Sequence, residues 1–323
     1  MGKLWIALLL TTLLLFFVPI LLHKTPVIPK TVKVPEESRE GEVEACQVAI
    51  TVLGLDEPVP LEEYVLGVVS AEMPVTFQEE ALKAQAIAAR TYALRVTEYG
   101  KKPIAADVSA QVYNSKKKRK EKWGKEFLRN EKKVETVVKE TAGDTIVFGE
   151  EMISAMFFST SNGQTETARN FSGNDVPYLQ SVESPGEEKV APKYNRETDM
   201  TLDEWNKALG TNWNVDMFKS LKLVRNPTGR VQKVMSTDFE LQGREMREIL
   251  GLASTDFDIA YDVTNKIVKV KTTGYGHGVG MSQYGAEAFA GQGWTAEKIL
   301  QHYYTGTIIK KFTVLDSKCL KTP

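Results

Sequence analysis

Pro74 constrains this chain more than any other single residue, because it stands between two strongly helical stretches and forces a break where they would otherwise run together. Met73 precedes it and is pushed out of the α region, so the first helix is predicted to end near Glu72. That helix starts with Pro60 at its entry and Glu62 and Glu63 in the first turn, where the helix dipole favours carboxylates. Tyr64, Val65, Val68 and Val69 then recur at helical spacing. Glu72 is thereby placed at the negative pole of the helix among apolar neighbours. Both effects disfavour its charged form and predict a raised pKa, which is what a general acid working near neutrality requires.

The second helix is predicted over Phe77–Leu94, with Thr76 as its cap and Gly100 as its stop. Its alanines allow close approach by other helices and argue for a central position. Lys83 and Arg90 lie seven residues apart and share one face, and Glu79 and Glu80 are spaced to pair with Lys83. Spacing alone favours a buried alanine helix carrying surface salt bridges over a functional role for these cations.

Farther along, Val48–Leu53 alternates as an opening strand, and Thr145–Phe148 and Met152–Phe158 read as two strands around Gly149 and Glu150. The basic run Lys116–Lys120 is either a solvated face or a contact for an anionic polymer or lipid headgroups. Ser159–Gly163 is a polar loop after an apolar strand. It reads as a binding loop or as an ordinary turn, and it is no nucleophile elbow. Thr201–Glu204 forms a capping box, and Asn226–Gly229 is a hairpin turn between Leu221–Arg225 and Gln232–Ser236. Phe257–Val263 and Ile267–Lys271 form another strand pair. The glycines of Gly276–Gly280 lead into a helix over Met281–Ala290, followed by a helix over Ala296–Tyr304 and a last strand over Ile308–Val314. This segment offers Ser282, Gln283 and Tyr284 to sugar hydroxyls and ring faces; its other reading is a tight turn around a packed His277. The glycine spacing is not that of a dinucleotide fingerprint.

The fold class expected is α+β, with mixed helices and antiparallel strands in two lobes around a cleft, preceded by one N-terminal transmembrane helix. Leu4–Leu22 is an almost unbroken apolar run long enough to span a bilayer, and no small-residue cleavage site follows, so residues 1–24 are expected to be an uncleaved signal anchor. Positive charges after the run outnumber those before it and do not favour an outside placement of the soluble part, yet long domains cross largely regardless of charge. Residues 25–45 read as a linker, 46–194 as a lobe carrying Glu72, 195–273 as a second lobe or insertion, and 274–323 as the segment completing the first lobe. Cys46 and Cys319 read equally as a disulfide or as two free thiols. The three histidines, His23, His277 and His302, and the two cysteines have no zinc-ligand spacing, so no metal and no cofactor are expected. A net charge of −1 implies no general attraction to nucleic acid.

Four blocks in this order resemble the stage II sporulation protein D family: Leu61–Pro74, Ala81–Ala93, Phe157–Glu166 and Gly276–Gly285. Together they are highly specific. The resemblance implies a lytic transglycosylase that cuts peptidoglycan glycan strands, preferably those stripped of stem peptides, during engulfment of the forespore. It implies Glu72 as the catalytic acid and then base, and Arg90 or Lys83 as the grip on the lactyl carboxylate of a denuded muramic unit. Tyr92, Ser161, Asn162, His277, Gln283 and Tyr284 become further substrate-binding candidates. It also implies the stage II sporulation amidase (protein P) and the membrane protein M as partners. The substrate it implies lies outside the cytoplasm, and the outside placement expected for the soluble part rests on that; an anionic polymer held by Lys116–Lys120 would then be a wall polymer. Some family members carry a His/Cys zinc site just after the segment that here reads Asp107–Tyr113; this chain lacks those ligands. The family also includes amidase enhancers, so a non-catalytic, wall-binding activator of an amidase is the alternative reading. A serine, cysteine or metal hydrolase has no triad or ligand pattern to rest on.

Overall fold

The computed structural model describes residues 48–312. The expected anchor, the linker, Cys46 and Cys319 lie outside the described residues. Helix α1 (Leu61–Glu72) buries Tyr64, Val65, Val68 and Val69 as its spacing requires. It ends as Pro74 dictates: Met73 is extended, at φ −118° and ψ 146°, and its N–H closes the last turn on the Val69 carbonyl. Helix α2 (Glu79–Val96) begins two residues later than expected. Thr76 does not cap it; instead the Glu287 carboxylate accepts the N–H of Gln78 at 2.7 Å, so the start is tied down from across the fold. The helix stops before Glu98, Tyr99 and Gly100, which all adopt positive φ.

Ala81, Ala84, Ala86, Ala88, Ala89 and Ala93 of α2 are wholly buried. With only methyl groups on these faces, the helix is packed by α1, by α4 (Phe127–Glu140) beyond the basic helix α3 (Lys116–Trp123), and by the strand Asp144–Phe148. In α3 the lysines of the basic run are exposed, while Arg119 is fully buried and spans Glu131 and Glu63, with a further bond to the Asn114 carbonyl.

The strand Asp144–Phe148 pairs antiparallel with Ile308–Lys311 and with Glu151–Met152. The second strand expected over Met152–Phe158 is divided. Ladder pairing stops at Met152, and Phe157–Phe158 instead pairs in parallel with Met281–Ser282. Met281 and Ser282 are therefore strand rather than helix, and the Ser282 hydroxyl caps the next helix by accepting the Gly285 N–H.

A second apolar cluster lies in residues 195–273. Helix α5 (Leu202–Leu209) carries the expected capping box and buries Trp205 against Trp213. One antiparallel sheet joins Phe257–Asp262, Ile267–Thr273 and Asn195–Thr201; another joins Lys222–Arg225, Val231–Ser236 and Phe239–Gln242, with helix α6 (Gly243–Leu250) packed on it. The chain then returns to the first cluster through α7 (Gln283–Gly291) and α8 (Ala296–Tyr303), both packed on α2. The architecture is mixed α+β with mainly antiparallel sheets. Among the described residues no helix is long and apolar enough to cross a membrane.

Gly67 shows how tightly α1 is held. A Cβ there would lie 2.2 Å from Cε2 of Tyr113 and 2.8 Å from the carbonyl oxygen of Asn114. Gly67→Ala is expected to cost about 1–3 kcal/mol by overpacking and to lower Tm in calorimetry, because backbone as well as a ring must move. An unchanged Tm would show that the 113–114 segment is not clamped to α1.

Candidate functional site

Four segments meet around Glu72. The end of α1 presents the side chain, the loop leading to Val112 supplies a backbone donor, and α2 and the start of α7 supply Gln85 and Gln283. Oε1 of Glu72 accepts the Val112 N–H at 2.8 Å. Oε2 faces Nε2 of Gln283 at 3.5 Å, and that same amide lies 3.4 Å from Oε1 of Gln85. The Nε2 of Gln85 is buried with no hydrogen-bond partner among the described residues. The loop is anchored behind Val112: Tyr64 donates to Gln111 at 3.1 Å, Gln111 donates to the Ala89 carbonyl, and the Tyr64 and Tyr113 rings stack at 5.5 Å.

Burial raises the Glu72 pKa above its usual value; the Val112 and Gln283 hydrogen bonds and the charge of Lys122 offset part of that rise. Lys122 donates to the Ser70 carbonyl at 2.7 Å, and burial lowers its own pKa. Lys122 escaped sequence reasoning because it merges into a basic stretch. The arrangement gives a half-buried carboxyl with one oxygen fixed by a backbone donor and the other turned toward side-chain amides. Such a group can give up a proton and, once charged, be stabilised by two donors and one nearby ammonium charge already in place.

Of the predicted substrate-binding residues, Gln283 is in the Glu72 cluster. Tyr92 and His277 together line a hollow of about 160 Å³ that also includes Ala110, two residues from Val112. His277 is neutral: burial pulls its pKa down to about 4, Nδ1 accepts the Val279 N–H, and Nε2–H therefore donates to the Phe157 carbonyl. Tyr284 sets its ring edge-on to Phe77 at 5.0 Å.

The other four lie apart from this cluster and have protein partners of their own. Arg90 is fully buried; it forks onto Glu62 at 2.9 and 2.5 Å and donates to the carbonyls of Asp144 and Val138, so its guanidinium is not presented to a ligand. Lys83 is shared between Glu80 and Glu140, each at 2.9 Å. Ser161 is sealed and gives both its N–H and its hydroxyl to Glu187. Asn162 braces the two clusters through the Thr228 carbonyl and Asp256.

Glu187 itself gave no signal in the sequence. It is a fully buried carboxylate that also accepts the hydroxyls of Ser184 and Ser282, each within 2.7 Å, and burial raises its pKa. It joins the Ser159–Gly163 loop to the strand before α7 and has no exposed surface for a substrate. Among the described residues no group of three or more His, Cys, Asp or Glu is placed to hold a metal ion.

Comparison with known proteins matches residues 52–148 to the family described as "Stage II sporulation protein", a span that includes Glu72, Gln85, Val112 and Lys122. A stage II sporulation protein D from Bacillus amyloliquefaciens and one from Bacillus subtilis (strain 168) are each 40% identical to this chain over 262 residues. The match covers 79% of this chain and 75% and 76% of those proteins, respectively. A protein named amidase enhancer from Bacillus subtilis (strain 168) is 28% identical over 300 residues, covering 76% of this chain and 40% of that protein.

The raised pKa of Glu72 has a consequence for stability. In the unfolded chain the group titrates near 4.5, whereas the fold disfavours its ionised form. The stabilisation belonging to the neutral form is complete below 4.5 and is lost as pH rises through the higher folded value. Glu72→Gln escapes that loss. The Tm of the variant relative to wild type is therefore expected to rise between pH 4.5 and neutrality. A difference that stays constant over that range would mean Glu72 ionises normally.

Proposed function

This chain belongs to the stage II sporulation protein D family, and on that premise we propose that it is a peptidoglycan lytic transglycosylase with Glu72 as its single acid–base group. In the first step the neutral carboxyl donates its proton to the oxygen leaving muramic C1, and the glycosidic bond breaks. In the second, the Glu72 carboxylate takes the proton of the muramic C6 hydroxyl, whose oxygen closes on C1. The products are a free N-acetylglucosamine end and a 1,6-anhydro-muramic end, and Glu72 is again protonated. One carboxyl serves both steps because no water has to be activated.

The observation that carries this reading is the setting of Glu72: burial favours its neutral form, while the Val112 N–H and Gln283 stand ready for the charged one. The other buried acid, Glu187, is sealed among three serine hydroxyls and is not positioned as a second catalytic group. The substrate proposed is glycan stripped of stem peptides, whose muramic units carry free lactyl carboxylates. The soluble part is placed outside the cytoplasm on the mother-cell side of the sporulation septum, held by the Leu4–Leu22 anchor, with the stage II sporulation amidase and the membrane protein M as partners.

The similarity to a protein named amidase enhancer favours one second reading, a wall-binding activator in which the Glu72 block is structural. Mass spectrometry of denuded glycan after incubation separates them. Wild type is expected to release anhydro-muramic ends, and Glu72→Gln is expected to lose at least ~100-fold in rate, the scale of general acid catalysis, while still binding glycan. Unaltered strands together with a faster partner amidase would establish the activator instead.

Protease added to intact protoplasts tests the placement. The soluble part is expected to be degraded; protection until the membrane is opened would put it inside.

A further inference from the structure

Two sets of arginines in this fold contrast. Arg90, Arg119 and Arg225 each make at least four hydrogen bonds to protein acceptors, and their guanidinium groups are structural. Arg230, Arg244 and Arg247 differ. All three line one cavity of about 290 Å³ where the two apolar clusters meet. Arg230 gives Nη2 to the Gln164 carbonyl and leaves Nη1 buried without a partner. Arg247 spends only Nε, on the Leu252 carbonyl, and Arg244 only Nε, on Glu248. Burial draws the pKa values of Arg230 and Arg247 below the usual arginine value, the mark of cations stripped of water without full compensation.

The acids in the same wall offset that burial only through their charge and make no hydrogen bond to Arg230 or Arg247. Glu166 is saturated by the Thr167 N–H, Asn170, Asn226 and Thr228. Glu245 accepts the Gln242 N–H in the cap of α6. Three guanidinium groups and two carboxylates line the cavity, and Glu248, paired with Arg244, balances the third charge; what is left unmet is the hydrogen-bonding capacity of Arg230 and Arg247.

Its construction is specific. Gly278, at φ +87°, lies flat against the Arg230 guanidinium, and a Cβ there would come within 2.8 Å of Nε and Nη2. The glycine-rich turn and the Gln164–Glu166 segment, both within blocks that carry the family resemblance, thus position one arginine that comes from the other cluster. The amide of Gln232, the side chain of Gln242, which accepts the Glu245 N–H in the cap of α6, and the rings of Phe171 and His277 complete the lining. His277 also lines the hollow beside Tyr92, so the two spaces share a wall.

We propose that this cavity is a subsite for the carboxylate of a sugar acid, gripped by Arg230 and Arg247 with Arg244 at its rim. Guanidinium forks match the two oxygens of a carboxylate. Side-chain amides, which both donate and accept, suit sugar hydroxyls, and the volume is at the low end for ligand sites, the scale of about one pyranose ring. The preference for a sugar acid over other anions rests on the proposed function; the muramic lactyl group is then the carboxylate in question, and Arg230 and Arg247 take the role that buried Arg90 does not.

The test is a ligand-observed NMR titration of the full-length chain with three probes: N-acetylmuramic acid, its carboxyl-reduced alcohol, and inorganic phosphate. The acid is expected to bind at least ~10-fold more tightly than the alcohol, the scale of a charge-assisted pair. Arg247→Gln is expected to abolish that preference. Arg244→Gln, at an exposed position where folding is not at stake, is expected to reduce it. Glu72→Gln is expected to keep the preference, so a missing catalytic activity and a missing carboxylate subsite give different results. Equal affinity for acid and alcohol, phosphate binding more tightly than the acid, or a preference lost in Glu72→Gln but kept in both arginine variants would each overturn the assignment.

Discussion

The close packing of α2 is the constraint on which the rest depends. Its alanines remove side-chain bulk on several faces at once, so α1, α4, α7, α8 and a strand can all approach the same short length of helix. A helix buried so completely has little tolerance for charge, yet Arg90 sits in it with no exposed surface. The conflict is resolved by Glu62, which forks onto Arg90 from the first turn of α1 while keeping part of its own side chain in water. That pair sets the start of α1 against the middle of α2. Once the start is set, the length of α1 is set by Pro74, and the position of Glu72 follows.

The chemistry of Glu72 is therefore assembled by elements far apart in the chain. Val112 comes from a loop held by Tyr64 and Gln111, and Gln283 from the helix that follows the parallel strand pair. Ser282 and Gln283 are adjacent and face opposite tasks: the serine hydroxyl goes to buried Glu187, and the glutamine amide to Glu72. A displacement of the Glu187 knot would be felt at Glu72 through a single peptide unit. The sealed carboxylate of Glu187 is thus a positioning group for the half-buried one of Glu72.

Local signals carried the parts of the fold that are themselves local. The end of α1, the capping box at Thr201 and the hairpin at Asn226–Gly229 rest on proline, cap and turn chemistry, and they stand where those rules place them. The site was less legible because partners decide it. The Glu80 partner of Lys83 was legible from spacing, but the shared helix face gave no hint that Glu62 from α1 would claim Arg90 or that Glu140 from α4 would share Lys83. Ser161 and Asn162 look like ligand-binding groups until Glu187, Thr228 and Asp256 arrive from distant segments. Glu187 had no visible pattern, because three serines scattered over more than a hundred residues define it. The divided strand at Met152–Phe158 failed for a related reason: an apolar run does not say which partner it pairs with.

The glycine-rich turn shows why residue type and role can separate. Glycines before a helix suggest a bed for ligand oxygens at the helix start. In the fold, the Ser159 carbonyl and the Ser282 hydroxyl already accept the Tyr284 and Gly285 N–H groups in the first turn of α7, and Gly278 clears space for the Arg230 guanidinium instead. The turn holds a cation from the second cluster against the first. His277, neutral and bonded at both ring nitrogens, fixes the turn's conformation without adding charge of its own. A motif whose composition points to direct ligand contact thus acts one step removed, by deciding where a guanidinium from the other cluster can stand.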